Sequence, residues 1–222
     1  MAGLLRVLLR VFFRLLYNQF AWAYDWVSRA VSLGQWRAWQ RAGLSRLRGR
    51  RVLEIAHGTG DLLLDLAALG FTATGLDLSP AMGWQARRKL RAHGLETPLV
   101  RARVQALPFA DGSFPSLLAT FPTDFIVDPV ALAEFQRVLQ PGGVLVAVPA
   151  AQITGPAVGD RLAGWLFHIT GQSATEWFEP LLARYAEAGF RARIERTPLP
   201  RSLVTLIIAE KPWPAPDPGA PL

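Results

Sequence analysis

Glu54 and Asp77 are the residues whose placement most suggests chemistry. Each stands at the end of a short apolar run, Val52-Leu53-Glu54-Ile55 and Gly75-Leu76-Asp77-Leu78. Between them, Ala56-His57-Gly58-Thr59-Gly60 reads as a turn, followed by a helix-like apolar run from Asp61. Glycine lets backbone approach a ligand closely, and the first amides of the next helix give the turn a positive end. The turn and Asp77 are about twenty residues apart, the span of one strand-helix-strand unit in which a strand-end carboxylate binds ribose hydroxyls. Together they describe a nucleotide-type cofactor held at the carboxyl ends of two adjacent parallel strands. Taken singly, Glu54 could equally cap the next helix, and Asp77 could be a turn or N-cap acid.

The elements that position these residues follow from the pattern. From Arg51 the chain alternates strand and helix, which predicts an α/β fold with a mostly parallel sheet. Strands are expected at 51–56, 72–77, 99–103, 115–121, 143–149, 191–197 and 202–210. Helices are expected near 60–69, 80–92, 129–139 and 175–188. Pro141-Gly142-Gly143 stops a helix and opens the next strand. The last two strands are joined only through Pro198-Leu199-Pro200, with no room for a helical crossover, so they should form an antiparallel hairpin. Residues 150–174 interrupt the alternation, as insertions near a substrate do. Residues 211–222 are proline-rich and read as a disordered tail.

Composition sets the outer limits. A chain of 222 residues, 51% apolar, is one domain with a sizeable core. With no cysteine, it has no disulfide framework, thiolate metal site or cysteine nucleophile. No Cys/His/acid cluster has metal-ligand spacing, so no metal is expected. The net charge of +7 is uneven: residues 1–50 hold nine arginines against Asp25 and carry +8, leaving −1 on the remainder.

That basic segment is an N-terminal helical extension, 1–50, preceding the domain at 51–210. In residues 4–17, Arg6, Arg10 and Arg14 recur every four residues and stack on one helical stripe among Leu, Val and Phe. Three arginines in fourteen residues argue against a transmembrane span, and they interrupt the apolar core that a secretory signal needs. An amphipathic helix on an anionic membrane fits, as does a helix covering the core or the mouth of a site. The expected location is cytoplasmic, peripheral on the inner membrane face. The aromatic run Tyr17, Phe20, Trp22, Tyr24, Trp26, Trp36 and Trp39 suits a lid over an apolar ligand, an interfacial belt or ordinary helix packing.

Leu53-Glu54-Ile55-Ala56-His57-Gly58-Thr59-Gly60 resembles the first motif of class I S-adenosylmethionine-dependent methyltransferases. Gly75-Leu76-Asp77-Leu78-Ser79-Pro80-Ala81-Met82 resembles their second. Ala106-Leu107-Pro108-Phe109-Ala110-Asp111-Gly112-Ser113-Phe114 is similar to the segment before the family's fourth strand. Glu134-Phe135-Gln136-Arg137-Val138-Leu139-Gln140-Pro141-Gly142-Gly143 is similar to the helix and turn before the fifth. The order and spacing match across roughly residues 50–150, and the chain looks most like the branch containing quinone-biosynthesis and phospholipid methyltransferases.

This resemblance implies a Rossmann-like seven-stranded sheet, S-adenosyl-L-methionine as cofactor, and a small apolar or lipid-linked acceptor. It implies that Glu54 and the backbone of Ala56, His57, Gly58 and Gly60 face the methionine part, and that Asp77 binds the ribose. Leu78, Met82, Gln105, Ala106 and Leu107 would border adenine; Thr120 and Phe121 would lie near the sulfonium and acceptor. Candidate bases are His57, His168, Asp124, Tyr17 and Tyr24. The sequence departs from the family at Ala56, usually glycine, where a methyl group is tolerable only at negative φ. It departs again at Arg103, which replaces an acid that often holds the adenine amino group, and at Pro115, which replaces an aspartate.

Three other functions compete. An NAD-linked oxidoreductase uses a similar acid and turn, but with a G-x-G-x-x-G pattern that this chain lacks. Nucleic acid is not the expected partner, because the N-terminal arginines are interleaved with leucine and phenylalanine and no base-methylating motif follows the fourth strand. A non-catalytic membrane-associated homologue is the third, suggested by Ala56 and Arg103.

Overall fold

The computed structural model describes residues 24–155 and 178–214. The amphipathic stretch 4–17, Tyr17, His168, most of the 150–174 insertion and the end of the tail lie outside these residues.

Strand and helix alternate as the apolar pattern requires. The elements are α1 (Tyr24–Val31), α2 (Trp36–Arg41), β1 (Arg51–Ile55), α3 (Asp61–Ala68), β2 (Thr72–Leu76), α4 (Pro80–Ala92), β3 (Leu99–Val100), β4 (Phe114–Thr120), α5 (Pro129–Val138), β5 (Leu139–Ile153), α6 (Phe178–Glu187), β6 (Arg191–Leu199) and β7 (Ser202–Glu210). They build one seven-stranded sheet in the order β3-β2-β1-β4-β5-β7-β6. The first five strands run parallel, while β7 is antiparallel to both β5 and β6. The strand order reverses beside β1, where β2 lies on one side and β4 on the other, and the crevice at that point is where open α/β sheets bind ligands.

Side chains alternate across each strand, so each face has its own core. Leu53, Ile55, Leu117, Leu145 and Ala147 pack on one face with Leu132 and Phe135 of α5 and Tyr185 of α6. Val52, Leu118, Val144, Val146 and Val148 pack on the other with Trp39 of α2 and Leu62, Leu63 and Leu66 of α3. With both faces covered, the central strands carry apolar runs instead of alternating with polar residues. In β1 only Glu54 breaks the run. Its neighbours Leu53 and Ile55 face the first core, so Glu54 faces the side of α2 and α3.

The N-terminal extension is built onto this core. Trp39 is fully buried and donates from Nε1 to Ser202 Oγ at 2.8 Å. Gly43, just after α2, lies so close to the sheet that a Cβ there would come within 2.9 Å of Val146. Asp65 of α3, 4% exposed, accepts from both Arg37 and Arg41 of α2. Burial opposes the Asp65 charge, but the two guanidiniums outweigh it and hold its pKa below the ordinary aspartate value. Arg46 pairs with Glu195 at 2.7 Å and Arg48 with Glu210 at 2.8 Å. The positive charge of the extension is thus partly spent on fastening residues 37–48 to the sheet and α3. The exposed pairs add little individually, while the half-buried Asp65 clamp matters more.

At the other end, Lys211 continues the chain past β7. Its backbone pairs with Gly142 and Gly143, and its Nζ donates to the carbonyls of Gln136 and Leu139 at 2.7 Å. The Pro-Gly-Gly turn and the end of β7 are therefore joined through Lys211.

Candidate active site

The site is built around the turn from β1 to α3. Asp77 holds this turn: its Oδ2 accepts from Gly58 N at 3.0 Å and its Oδ1 from Ser79 N at 2.8 Å. A carboxylate offers about four acceptor positions, so two remain for a ligand's hydroxyls. Ser79 then caps α4, accepting from Met82 N at 3.3 Å. The backbone at Gly58 has φ +55°, and a Cβ placed there would meet nothing within 4 Å. The turn thus presents open space beside the strand-end acid.

Ala56 has φ +56°, so the negative φ at which a methyl group would be tolerated without strain is not adopted. The turn keeps the left-handed geometry that glycine would occupy freely, and the methyl group is carried at a cost of about 1–2 kcal/mol. Phe121, just after β4, is also left-handed, at φ +48°. Its ring stacks on Trp36 of α2 with centroids 4.1 Å apart. Strained residues of this kind persist where surrounding structure fixes them, commonly at functional sites. Ala56→Gly relieves one of them. After allowing for the greater freedom of glycine in the unfolded chain, the variant should gain about 0.5–1 kcal/mol in a denaturant melt, with cofactor affinity equal or higher.

His57 is buried, and its ring lies against Gly75 of β2, where a Cβ would come within 2.8 Å of His57 Cδ2. Nδ1 stands 2.8 Å from the Gly58 carbonyl, so this nitrogen must carry the proton. Burial lowers the His57 pKa despite the opposing charge of Asp77 and the bond to Gly58. The ring is therefore neutral at pH 7 and its Nε2 keeps a lone pair.

Glu54 is 1% exposed and its Oε2 has no hydrogen-bond partner. Burial pushes its pKa well up, and the charges of Asp77, Asp61 and Asp65 add to that. A buried acceptor without a donor is costly, which suits a group that a ligand completes.

Two clefts open from this turn. The larger, about 250 Å³, lies between Asp77, the start of α4 and β3, and is bordered by His57, Gly83, Trp84 and Arg101. The smaller, about 20 Å³, lies between the turn, Thr120 and α2, and is roofed by Trp36 and Gln40. Of the residues expected at the site, Asp77 and His57 border the larger cleft, while Ala56, His57, Gly58 and Thr120 border the smaller. Gly60 caps α3 from φ +84°, where a Cβ would meet Ala86 at 2.9 Å. Leu78 is exposed and Met82 fully buried. Gln105 gives its side-chain amide to Asp128, the N-cap of α5, at 2.6 Å. Ala106 is exposed, and the Leu107 amide is held by Glu134 at 2.6 Å. Arg137 binds the carbonyls of Leu107 and Phe109 and the carboxylate of Asp111. The Leu-Pro-Phe segment is thus fixed from α5, and none of Gln105, Ala106 and Leu107 borders either cleft.

Among the candidate bases, Asp124 is exposed in a 3-10 turn and borders neither cleft. Tyr24 begins α1, and its side chain lies outside the described residues. Of the residues bordering the clefts, Trp36 belongs to the aromatic run read as a lid, whereas Gln40, Thr59 and Asp61 on one side, and Trp84, Arg87 and Arg101 on the other, were not singled out from sequence. A signal existed for the first two: Trp36 and Gln40 are four apart and share one face of a helix.

The fold is that of the class I S-adenosylmethionine-dependent methyltransferases. Residues 52–143 match the family described as a methyltransferase domain. Over 139 residues the chain is 38% identical to demethylmenaquinone methyltransferase of Thermus thermophilus, covering 60% of this chain and 63% of that protein. Over 156 residues it is 33% identical to the ubiquinone/menaquinone biosynthesis C-methyltransferase UbiE of Geobacter sp. strain M21, covering 66% of each. The chain thus spans about two thirds or less of the length of these relatives. A solved S-adenosylmethionine-dependent methyltransferase from Thermotoga maritima superposes with a TM-score of 0.61 at 19% identity, covering 88% of this chain and 98% of that one. A geranyl diphosphate methyltransferase, solved with sinefungin, superposes with a TM-score of 0.59 at 16% identity, covering 79% and 77%. By sequence, the methyltransferase domain of this chain is similar to the Thermus and Geobacter proteins, both named as methyltransferases of quinone biosynthesis.

Proposed function

We propose that this chain transfers the methyl group of S-adenosylmethionine to carbon on a small, apolar, quinone-like acceptor. The observation that carries the cofactor half is the buried, unpartnered Glu54 beside a turn that Asp77 holds open. The relatives' quinone substrates and carbon chemistry support the acceptor half. A phospholipid-like acceptor is the coarser alternative within the same apolar class.

The residues fit the cofactor. Asp77 has two acceptor positions to spare for ribose hydroxyls, the Gly58 backbone leaves space at the turn, and Glu54 offers an acceptor to the methionine end. When bound, the cofactor supplies a methyl group on an already activated sulfonium. What remains for the chain is alignment and exclusion of water. Trp36 and Phe121 form an apolar wall above the turn. In this reading His57, neutral and with Nδ1 bonded to the Gly58 carbonyl, is the base that takes a proton from an acceptor hydroxyl, which makes the acceptor ring more nucleophilic.

Residues 4–17 would hold the protein at an anionic membrane, where such acceptors dissolve. Among the described residues no helix is long and apolar enough to cross a membrane. Deleting residues 1–17 should release the protein from anionic liposomes in a flotation assay and leave S-adenosylhomocysteine binding intact. If the full chain ignores such liposomes, the membrane role fails. The function itself is tested by a labelled-methyl assay over quinone and phospholipid pools, with mass spectrometry of the product. Label on a quinone-type ring carbon is the expected result, and label only on a polar metabolite or nucleic acid would contradict it.

A further inference from the structure

Gln40 is placed in a way that neither packing nor helix formation accounts for. It lies on α2, ahead of the stretch that matches the methyltransferase domain. Its Nε2 sits at a marginal 3.5 Å from Thr120 Oγ1, and its Oε1 is buried with no partner. Among the described residues only one other buried side-chain polar atom lacks a partner, Glu54 Oε2. Glu54 projects toward the α2 and α3 face of the sheet, the same face from which Gln40 roofs the smaller cleft. The rest of that lining includes Ala56, Gly58, Thr59 and Asp61, so it is rich in acceptors, and its nearby cation, Lys89, is already held by Thr59 and Asp61. Two orphaned polar groups on one face of the sheet, with Gln40 bordering this small cleft and Glu54 two residues from Ala56 in its lining, describe a site finished by a small polar ligand group.

We propose that Gln40 is a binding residue for the amino-acid end of the cofactor, so that α2 of the N-terminal extension forms part of the cofactor site. This rests on the cofactor reading above. A neutral amide suits a group bearing both ammonium and carboxylate, since it can accept from one or donate to the other. Cofactor binding is then linked to the docking of α2, which Trp39 and the Asp65 clamp already preorganise.

The test compares two ligands. S-adenosylhomocysteine has the amino-acid end, and 5′-methylthioadenosine lacks it. Gln40→Met should weaken the first by roughly tenfold or more, as loss of a hydrogen bond to a charged group does, and leave the second unchanged in calorimetry. In wild-type protein, the first ligand should slow amide exchange over residues 36–41 more than the second, a readout that needs no variant. Equal losses for both ligands, or none for either, together with equal protection of 36–41, would overturn the role of Gln40 and show that a buried water alone completes it. If wild-type protein binds neither ligand, the cofactor reading falls, and this inference with it.

Discussion

Asp77→Ala should lower S-adenosylhomocysteine affinity by at least roughly a hundredfold, the largest effect of any single substitution. The carboxylate has two tasks, and alanine removes both. It ties Gly58 N and Ser79 N together, which fixes the turn after β1 against the start of α4. It also keeps two acceptor positions, which the proposed function assigns to the ribose hydroxyls, and hydrogen bonds to a charged group are worth about 1.5–3 kcal/mol each. Asp77→Asn separates the tasks. The amide keeps one oxygen and the shape of the side chain, so it should retain more of the folded turn while still losing affinity. Calorimetry with a thermal melt as control reads both effects. An Asp77→Ala protein that is folded and binds within threefold of wild type would remove Asp77 from the site.

Glu54→Gln should make the ligand-free protein more stable and the ligand-bound one weaker. Glu54 is buried without a donor on Oε2, and burial together with the charges of Asp77, Asp61 and Asp65 raises its pKa well above 4.5. The folded state therefore holds a proton that the unfolded state has already released. Unfolding then releases protons, so wild-type stability falls as pH rises from the ordinary glutamate value through the raised one. Glutamine is neutral throughout and shows no such fall. The variant should match wild type near pH 4 and exceed it by about 1–2 kcal/mol at alkaline pH. Denaturant melts across that range check the sign. S-adenosylhomocysteine affinity should fall by about tenfold, because a carboxylate accepting from an ammonium is replaced by an amide. A variant less stable than wild type at every pH would show that Glu54 is a structural acid and not one held for a ligand.

The trade predicted at Glu54 fits the strain at Ala56 and Phe121 and the orphaned oxygen of Gln40. All four lie around one turn at the point where the strand order reverses. A fold optimised only for stability would place glycine at 56 and satisfied side chains at 40 and 54, so this concentration of cost marks the site.

The sheet was legible because its causes are local. Apolar runs bounded by Gly and Pro put the strands within a few residues of their places, and the short Pro198-Leu199-Pro200 link required the antiparallel pairing of β6 and β7. The differences have tertiary causes. β5 starts at Leu139 instead of 143 because Leu139 pairs with Phe114 before the register shifts. β3 is only Leu99–Val100, since it pairs with β2 at Gly75 and Leu76 alone. At the site, Asp77 and the glycine turn were readable because their roles depend on backbone and spacing. Ala56 showed that something was unusual but not which sign φ would take. Trp36 was readable as one aromatic of a lid and Gln40 only by its helical spacing from it, because nothing in the sequence near them says that α2 folds back over β1 and β4. That placement depends on contacts far along the chain, from Trp39 to Ser202 and from Arg37 and Arg41 to Asp65.

We propose the turn between Glu54 and Asp77 as one wall of an S-adenosylmethionine site. Titration calorimetry of the full chain with S-adenosylhomocysteine and NAD side by side tests it most directly. One-to-one binding of S-adenosylhomocysteine with no heat from NAD is expected, and binding of NAD alone would assign the turn to a dinucleotide instead.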